Sequence, residues 1–184
     1  MRSFYGGLSY EKLKEARKGD IFLVPVMPAP DMEVMCFKDC NTEFEVLYKT
    51  NEKILLHANS SICSTIINDV VTDWESTALC RDLEKLSKTF EIKNKCTILS
   101  VQEIKKYYNV FSLPFKRSRY FDTTCQYWTR TKSQKPETNW AYAWVSCENE
   151  KSGIEFYCGR VNEPKEVVPA LWITLKNEDK FSLE

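Results

Sequence analysis

Leu99-Ser100-Val101-Gln102-Glu103-Ile104 carries the marks of a helix N-terminus. Ser100 and Glu103 stand at the two ends of a capping box. The hydroxyl accepts from a backbone N–H inside the first turn, and the acid reaches back to the N–H of the cap. Leu99 and Ile104 flank the box at the positions of a hydrophobic staple, so the spacing predicts a helix from 100 to about 108. Toward the N-terminus, Leu79, Leu83 and Leu86 follow the i, i+4, i+7 rule and define one face of a second helix over about 75–86. Asp73-Trp74-Glu75-Ser76 reads as its start, with the two acids capping it and complementing its dipole. Toward the C-terminus the period changes. The segments 126–131, 140–147, 153–160 and 170–175 alternate or run apolar between polar turns, as strands do. Helices lie mainly in the first half and strands in the second. Segregation of this kind predicts an α+β domain, with helices packed on a mixed or antiparallel sheet and a β-rich C-terminal half.

The N-terminal segment extends this reading. Ser9 is placed to cap a short helix, Leu8 and Leu13 to staple it, and Gly19 to end it, with Tyr10, Leu13 and Ala16 toward the core. Ile21-Phe22-Leu23-Val24-Pro25-Val26 reads as a buried strand that Pro25 pushes toward a sheet edge. Residues 27–41 read as loop, and 43–49 with 53–58 as a hairpin around Thr50-Asn51-Glu52. Residues 60–71 are ambiguous between helix and strand. The whole is one domain, 1–184, with an N-terminal helix (1–18) appended to a core (19–175) and a tail (176–184).

Composition limits the partners. The 184 residues carry 26 Lys+Arg against 26 Asp+Glu, a formal net charge of zero, so bulk electrostatic binding of nucleic acid is not expected. No run is apolar enough for a secretory signal or a membrane span, which predicts a cytoplasmic protein in a bacterial cytosol, a phage-infected cell or a virion. In that setting most of the eight Cys are expected to be thiols. Cys36 and Cys40 form the only close pair, without a second pair to complete a zinc site, so neither metal nor cofactor is expected. No glycine pattern for phosphate is present. His57, the only histidine, lies in a strand with no nucleophile motif near it, and a structural role is the simpler reading.

Five segments in order carry a resemblance. They are Gly19-Asp20-Ile21-Phe22, Thr72-Asp73-Trp74-Glu75-Ser76-Thr77-Ala78-Leu79-Cys80-Arg81, Leu99-Ser100-Val101-Gln102-Glu103, Tyr127-Trp128-Thr129-Arg130-Thr131 and Val167-Val168-Pro169-Ala170-Leu171-Trp172. Together they resemble an uncharacterised bacterial and phage domain family with G-D-x-F, T-W-E-x-S-x-L-R, L-S-x-E-E, W-W-L-R-S and G-V-R-P-A-L-W signatures. That family is similar to the C-type-lectin-like group, which includes formylglycine-generating enzymes and phage receptor-binding proteins. The resemblance implies a C-type-lectin-like fold. Val168 replaces the family's Arg, Tyr127 its first Trp, and Thr131-Lys132 its Ser-Pro. No motif matches the catalytic cysteines or metal sites of the formylglycine group.

The candidate site gathers in the C-terminal strands. Trp128 and Arg130 point to the same face of a strand, so indole and guanidinium can stack, as a structural cation–π contact or as the wall of a ligand pocket. Trp140, Tyr142 and Trp144 share a face of the next strand, either as core or as a recognition platform. Arg117 and Arg119, in Lys116-Arg117-Ser118-Arg119-Tyr120-Phe121, are candidate contacts to an anion. The leading expectation is a non-catalytic domain that recognises a protein or a small anionic or aromatic molecule through this face and the loops at 132–139 and 146–153. A homo-oligomer is compatible with it. The alternative is a small enzyme or ligand-sequestering protein, such as a phage anti-defence factor, that acts on an anionic metabolite or nucleotide through Arg117, Arg119 and Arg130.

Overall fold

Two sheets and three short helices make up the computed structural model, which describes residues 2–68, 73–107, 126–132, 140–146 and 155–176. The strands are β1 (Phe4–Gly6), β2 (Ile21–Val26), β3 (Cys40–Lys49), β4 (Lys53–Ala58), β5 (Cys63–Thr65), β6 (Asn94–Thr97), β7 (Gln126–Lys132), β8 (Trp140–Ser146), β9 (Glu155–Arg160), β10 (Lys165–Val167) and β11 (Ala170–Thr174). The helices are α1 (Tyr10–Glu15), α2 (Ala78–Ser87) and α3 (Val101–Tyr107). The class is α+β, but strands are not confined to the second half. The six-stranded sheet, in order β1-β2-β3-β4-β11-β6, draws four strands from the first half, β6 from just past the midpoint and β11 from near the C-terminus. The five-stranded sheet runs β5-β10-β7-β8-β9. Both are mixed: β1 pairs parallel with β2 and β10 parallel with β7, and the other pairings are antiparallel.

Central position explains which strands lose their alternation. β4 lies between β3 and β11, and Ile54, Leu55, Leu56 and Ala58 are all fully buried. β2 keeps its alternation, with Phe22, Val24 and Val26 inward and Leu23 and Pro25 outward. β1 pairs with β2 only as far as Leu23, so Pro25 sits where β2 has no partner on that side and its missing N–H costs no ladder bond. Phe22 and Phe44 face each other across β2 and β3, both fully buried. Each such side chain contributes roughly 1.5–3 kcal/mol on leaving water.

Ser9 caps α1 through a bond from the Lys12 N–H at 3.3 Å. The helix ends at Glu15, before Gly19, which adopts a positive φ of 87° in the turn that feeds β2. The N-terminal segment from residue 2 is joined to the sheet by β1, which pairs with β2. It is also tied down by the buried Asp20, whose carboxylate accepts from the N–H groups of Ser3 and Arg17, both at 2.8 Å. The second helix starts later than its acids suggest. Residues 74–76 form a 3-10 turn, and Thr77 is the cap, accepting from the Cys80 N–H at 3.1 Å. Asp73 makes no cap bond and instead accepts from Lys132 Nζ at 2.7 Å.

α2 turns Leu79, Leu83 and Leu86 inward and packs against β6. Its Asp82, fully buried, accepts from three consecutive N–H groups of the β2–β3 connection: Glu33 at 2.7 Å, Val34 at 2.7 Å and Met35 at 2.8 Å. One carboxylate thereby holds a loop that has no ladder of its own.

Candidate functional site

α3 begins as its capping box requires. The Glu103 N–H donates to Ser100 Oγ at 3.1 Å, and the Ser100 N–H donates to Glu103 Oε2 at 2.8 Å. Leu99 and Ile104 are both 2% exposed, as staple residues should be. Strand β7 locks onto this helix start. The Arg130 N–H donates to Leu99 O at 3.2 Å and Thr131 Oγ1 accepts from the Val101 N–H at 2.8 Å. Arg130 Nη1 donates to Ile98 O at 2.7 Å and to Glu103 Oε2. Burial alone would raise the Glu103 carboxyl, but the bonds from Arg130 and Ser100 outweigh it and hold the group below the usual carboxylate range.

Trp128 and Arg130 do not form a common recognition face. Trp128 is 2% exposed and its indole N–H donates to Thr65 O at 2.9 Å, which ties β7 to β5. Trp128 pairs with Trp144 and Lys132 with Tyr142, so four steps along β7 match two along β8. Arg130 falls inside that irregularity, where period-two alternation no longer applies. Tyr127, Trp128 and Thr129 are consecutively buried in a strand that lies between β10 and β8.

β7 and β8 are neighbours, as a merged surface requires, and β9 forms the edge beyond them. The register places Trp128, Trp144 and Tyr157 in one row across the three strands. The row starts in the core at Trp128 and reaches the surface at Tyr157, 38% exposed on the edge strand. Tyr142 stands opposite both Lys132 and Gly159, and Trp140 opposite Arg160. Lys132, the last residue of β7, is exposed and paired with Asp73, whose carboxyl it holds below the usual range. Tyr157 was not legible as a site residue because it becomes informative only when the register is known. Arg117, Arg119 and the loops 133–139 and 147–154 lie outside the described residues.

His57 lies in the middle of the six-stranded sheet, opposite Glu45 of β3 and Ala170 of β11. It is 2% exposed, and Glu45, ion-paired with Arg2 at 3.5 Å, is 1% exposed. Burial pushes the imidazole down to about 3, against the pull of the Glu103 carboxylate. A histidine so placed is neutral at physiological pH and is shut away from any substrate. Cys36, Cys40, Cys63, Cys80, Cys96 and Cys158 are thiols outside any disulfide. Among the described residues, no three His, Cys, Asp or Glu side chains are grouped to hold a metal ion, and no helix is long and apolar enough to cross a membrane.

No family model, curated protein or solved structure matches the chain. The described parts of the five signature segments have structural work in this molecule. Asp20 pins the N-terminus, Thr77 caps α2, Ser100 and Glu103 cap α3, Trp128 and Arg130 anchor β7, and Val167, Val168 and Ala170 are buried.

Proposed function

We propose that this chain is a non-catalytic recognition domain, C-type-lectin-like in fold and cytoplasmic, whose ligand face is the outer part of the five-stranded sheet. Tyr157 is its exposed aromatic, Trp140, Tyr142 and Trp144 are its β8 contributors, and Lys132 is its flanking cation. The observation that supports this reading most is the aromatic row Trp128, Trp144 and Tyr157, rooted in the core at one end and exposed on an edge strand at the other. Rigid aromatics beside a cation suit stacking on a sugar, a nucleobase or a peptide aromatic. The lectin-like kinship rests on the five ordered signatures. Arg117 and Arg119 remain candidate contacts to an anion. The anionic-metabolite alternative is weakened, because Arg130 is already committed to Glu103 and to the Ile98 carbonyl.

Saturation-transfer NMR of the full chain against panels of monosaccharides, nucleotides and aromatic peptides tests the proposal. At least one class should give a signal that Tyr157→Ala removes without altering the melting temperature. Silence from every class, or a signal indifferent to Tyr157→Ala, overturns it.

A further inference from the structure

A second aromatic group lies on the six-stranded sheet, on the face that meets α3, and a bulge in β3 creates it. Val46 stands opposite Leu56 but Tyr48 opposite Leu55, so Leu47 is an extra residue and Tyr48 is turned from the face of Val46 to that of Leu55. Trp172 of β11 stands opposite Leu55 from the other side, which makes Tyr48, Leu55 and Trp172 one row. Leu55 is fully buried, while the two rings are partly exposed. They meet edge to face with centroids 5.9 Å apart, and Tyr107, at the end of α3, packs on Tyr48 at 6.0 Å. Two ammonium groups are held over these rings. Lys53, two residues before Leu55 and therefore on its face, has Nζ 5.2 Å from the Trp172 centroid. Lys106 has Nζ 5.5 Å from the Tyr48 centroid and 5.4 Å from that of Tyr107. Both lysines are exposed.

The nearby carboxylates in the chain are engaged elsewhere: Glu52 with Lys176 at 2.6 Å, and Glu103 with Arg130 and Ser100. Among the described residues, neither Lys53 nor Lys106 is paired with a carboxylate. Lys95, also exposed, stands opposite Trp172 on the β6 side and adds a third positive charge. A ring fixes the position of a cation without neutralising it, so a chain of zero net charge carries here a local excess of positive charge around aromatic surface. We propose that this is a binding site for a nucleoside phosphate, separate from the face of the five-stranded sheet. The base covers the exposed parts of the Trp172 and Tyr48 rings. The phosphate is bound by Lys53 and Lys106, each of which has three N–H donors and no ion pair to break first. Charge complementarity selects an anion and the rings select a flat body, so neither a neutral aromatic nor a bare phosphate satisfies both halves of the site.

The test follows the Trp172 indole N–H signal of the full chain by heteronuclear NMR, identified by its loss in Trp172→Phe, during titration with AMP, adenosine and inorganic phosphate. AMP should shift the signal to saturation and bind more tightly than adenosine or phosphate, and added salt should weaken it. Combining Lys53→Gln with Lys106→Gln should weaken AMP by about tenfold or more, with little change in melting temperature because both side chains are exposed. Tyr157→Ala should bind AMP as the wild type does. A signal that AMP leaves unmoved overturns the proposal. So does an AMP affinity unchanged in the double lysine variant, or adenosine or phosphate binding as tightly as AMP. Loss of AMP binding in Tyr157→Ala also overturns it, by assigning the nucleotide to the five-stranded sheet instead.

Discussion

Arg130 and Glu103 meet where strand β7 crosses the first turn of α3, and the guanidinium donates to the same Glu103 oxygen, Oε2, that already accepts from the Ser100 N–H and hydroxyl. The pair is partly shielded, with side chains 27% and 18% exposed. Arg130→Met should therefore cost about 1–3 kcal/mol, because Glu103 and the Ile98 carbonyl lose a charged donor. The Glu103 carboxyl is held low in the folded state, so its contribution is complete above the unfolded value of roughly 4.3 and disappears as pH falls through the folded value. Urea denaturation from neutral to acid pH should show that loss in the wild type and a smaller one in Glu103→Gln.

His57 gives a separate acid signature. Its folded value near 3 lies below the unfolded histidine value, so the unfolded chain binds the extra proton first. Stability should fall as pH drops from roughly 6.5 toward the folded value. Between neutrality and the onset of carboxylate titration the slope belongs to the imidazole. A His57→Gln variant, whether weaker or not at neutral pH, should lose most of that slope in the same denaturation series.

Asp82 should be the costliest surface-remote acid to remove. Asp82→Ala would strand three backbone N–H donors of Glu33, Val34 and Met35, each worth about 1–3 kcal/mol when buried and unpaired. Water entering the loosened loop would recover part of this. Asp82→Asn, with one acceptor oxygen, should fall between the wild type and Asp82→Ala in melting temperature. Limited proteolysis of Asp82→Ala should cut first within 27–39.

Three aromatic truncations separate framework from face. Trp128→Ala should lose roughly 3–5 kcal/mol, the usual cost of emptying a core site of that size. Tyr157→Ala should stay within about 1 kcal/mol of the wild type, as exposed positions do. Trp144→Ala decides the platform reading. A melt close to that of Tyr157→Ala supports it, and one close to that of Trp128→Ala returns β8 to the core.

What could be read from the chain was what neighbours in sequence decide. The α3 capping box closes within four residues, and the β3–β4 hairpin within a short turn, so both appear in the structure as their residues suggest. The start of α2 was harder, because Asp73 and Thr77 are both good caps and only the Lys132 contact, far along the chain, draws Asp73 away. β1, β6 and β10 have three or four residues each and little apolar pattern. They are strands because distant partners supply their hydrogen bonds: Ile21, Ala170 and Cys63 stand opposite their residues. Trp128 and Arg130 misled because period two assumes an unbroken ladder, and the register shift lies between Trp128 and Lys132, with Arg130 inside it.

The place of β11 shapes the birth of the molecule on the ribosome. Among the described residues β6 pairs only with β11, and β4 has β3 and β11 as its two neighbours. Synthesis at roughly 5–20 residues per second leaves the early strands without that partner for on the order of ten seconds after β4 emerges. During that interval the nascent chain presents the open edge of a largely apolar strand, the kind of surface that invites pairing with other chains. Chaperone occupancy should be highest while residues 58–170 are being made, and chains terminated before Ala170 should be insoluble, however complete their first four strands.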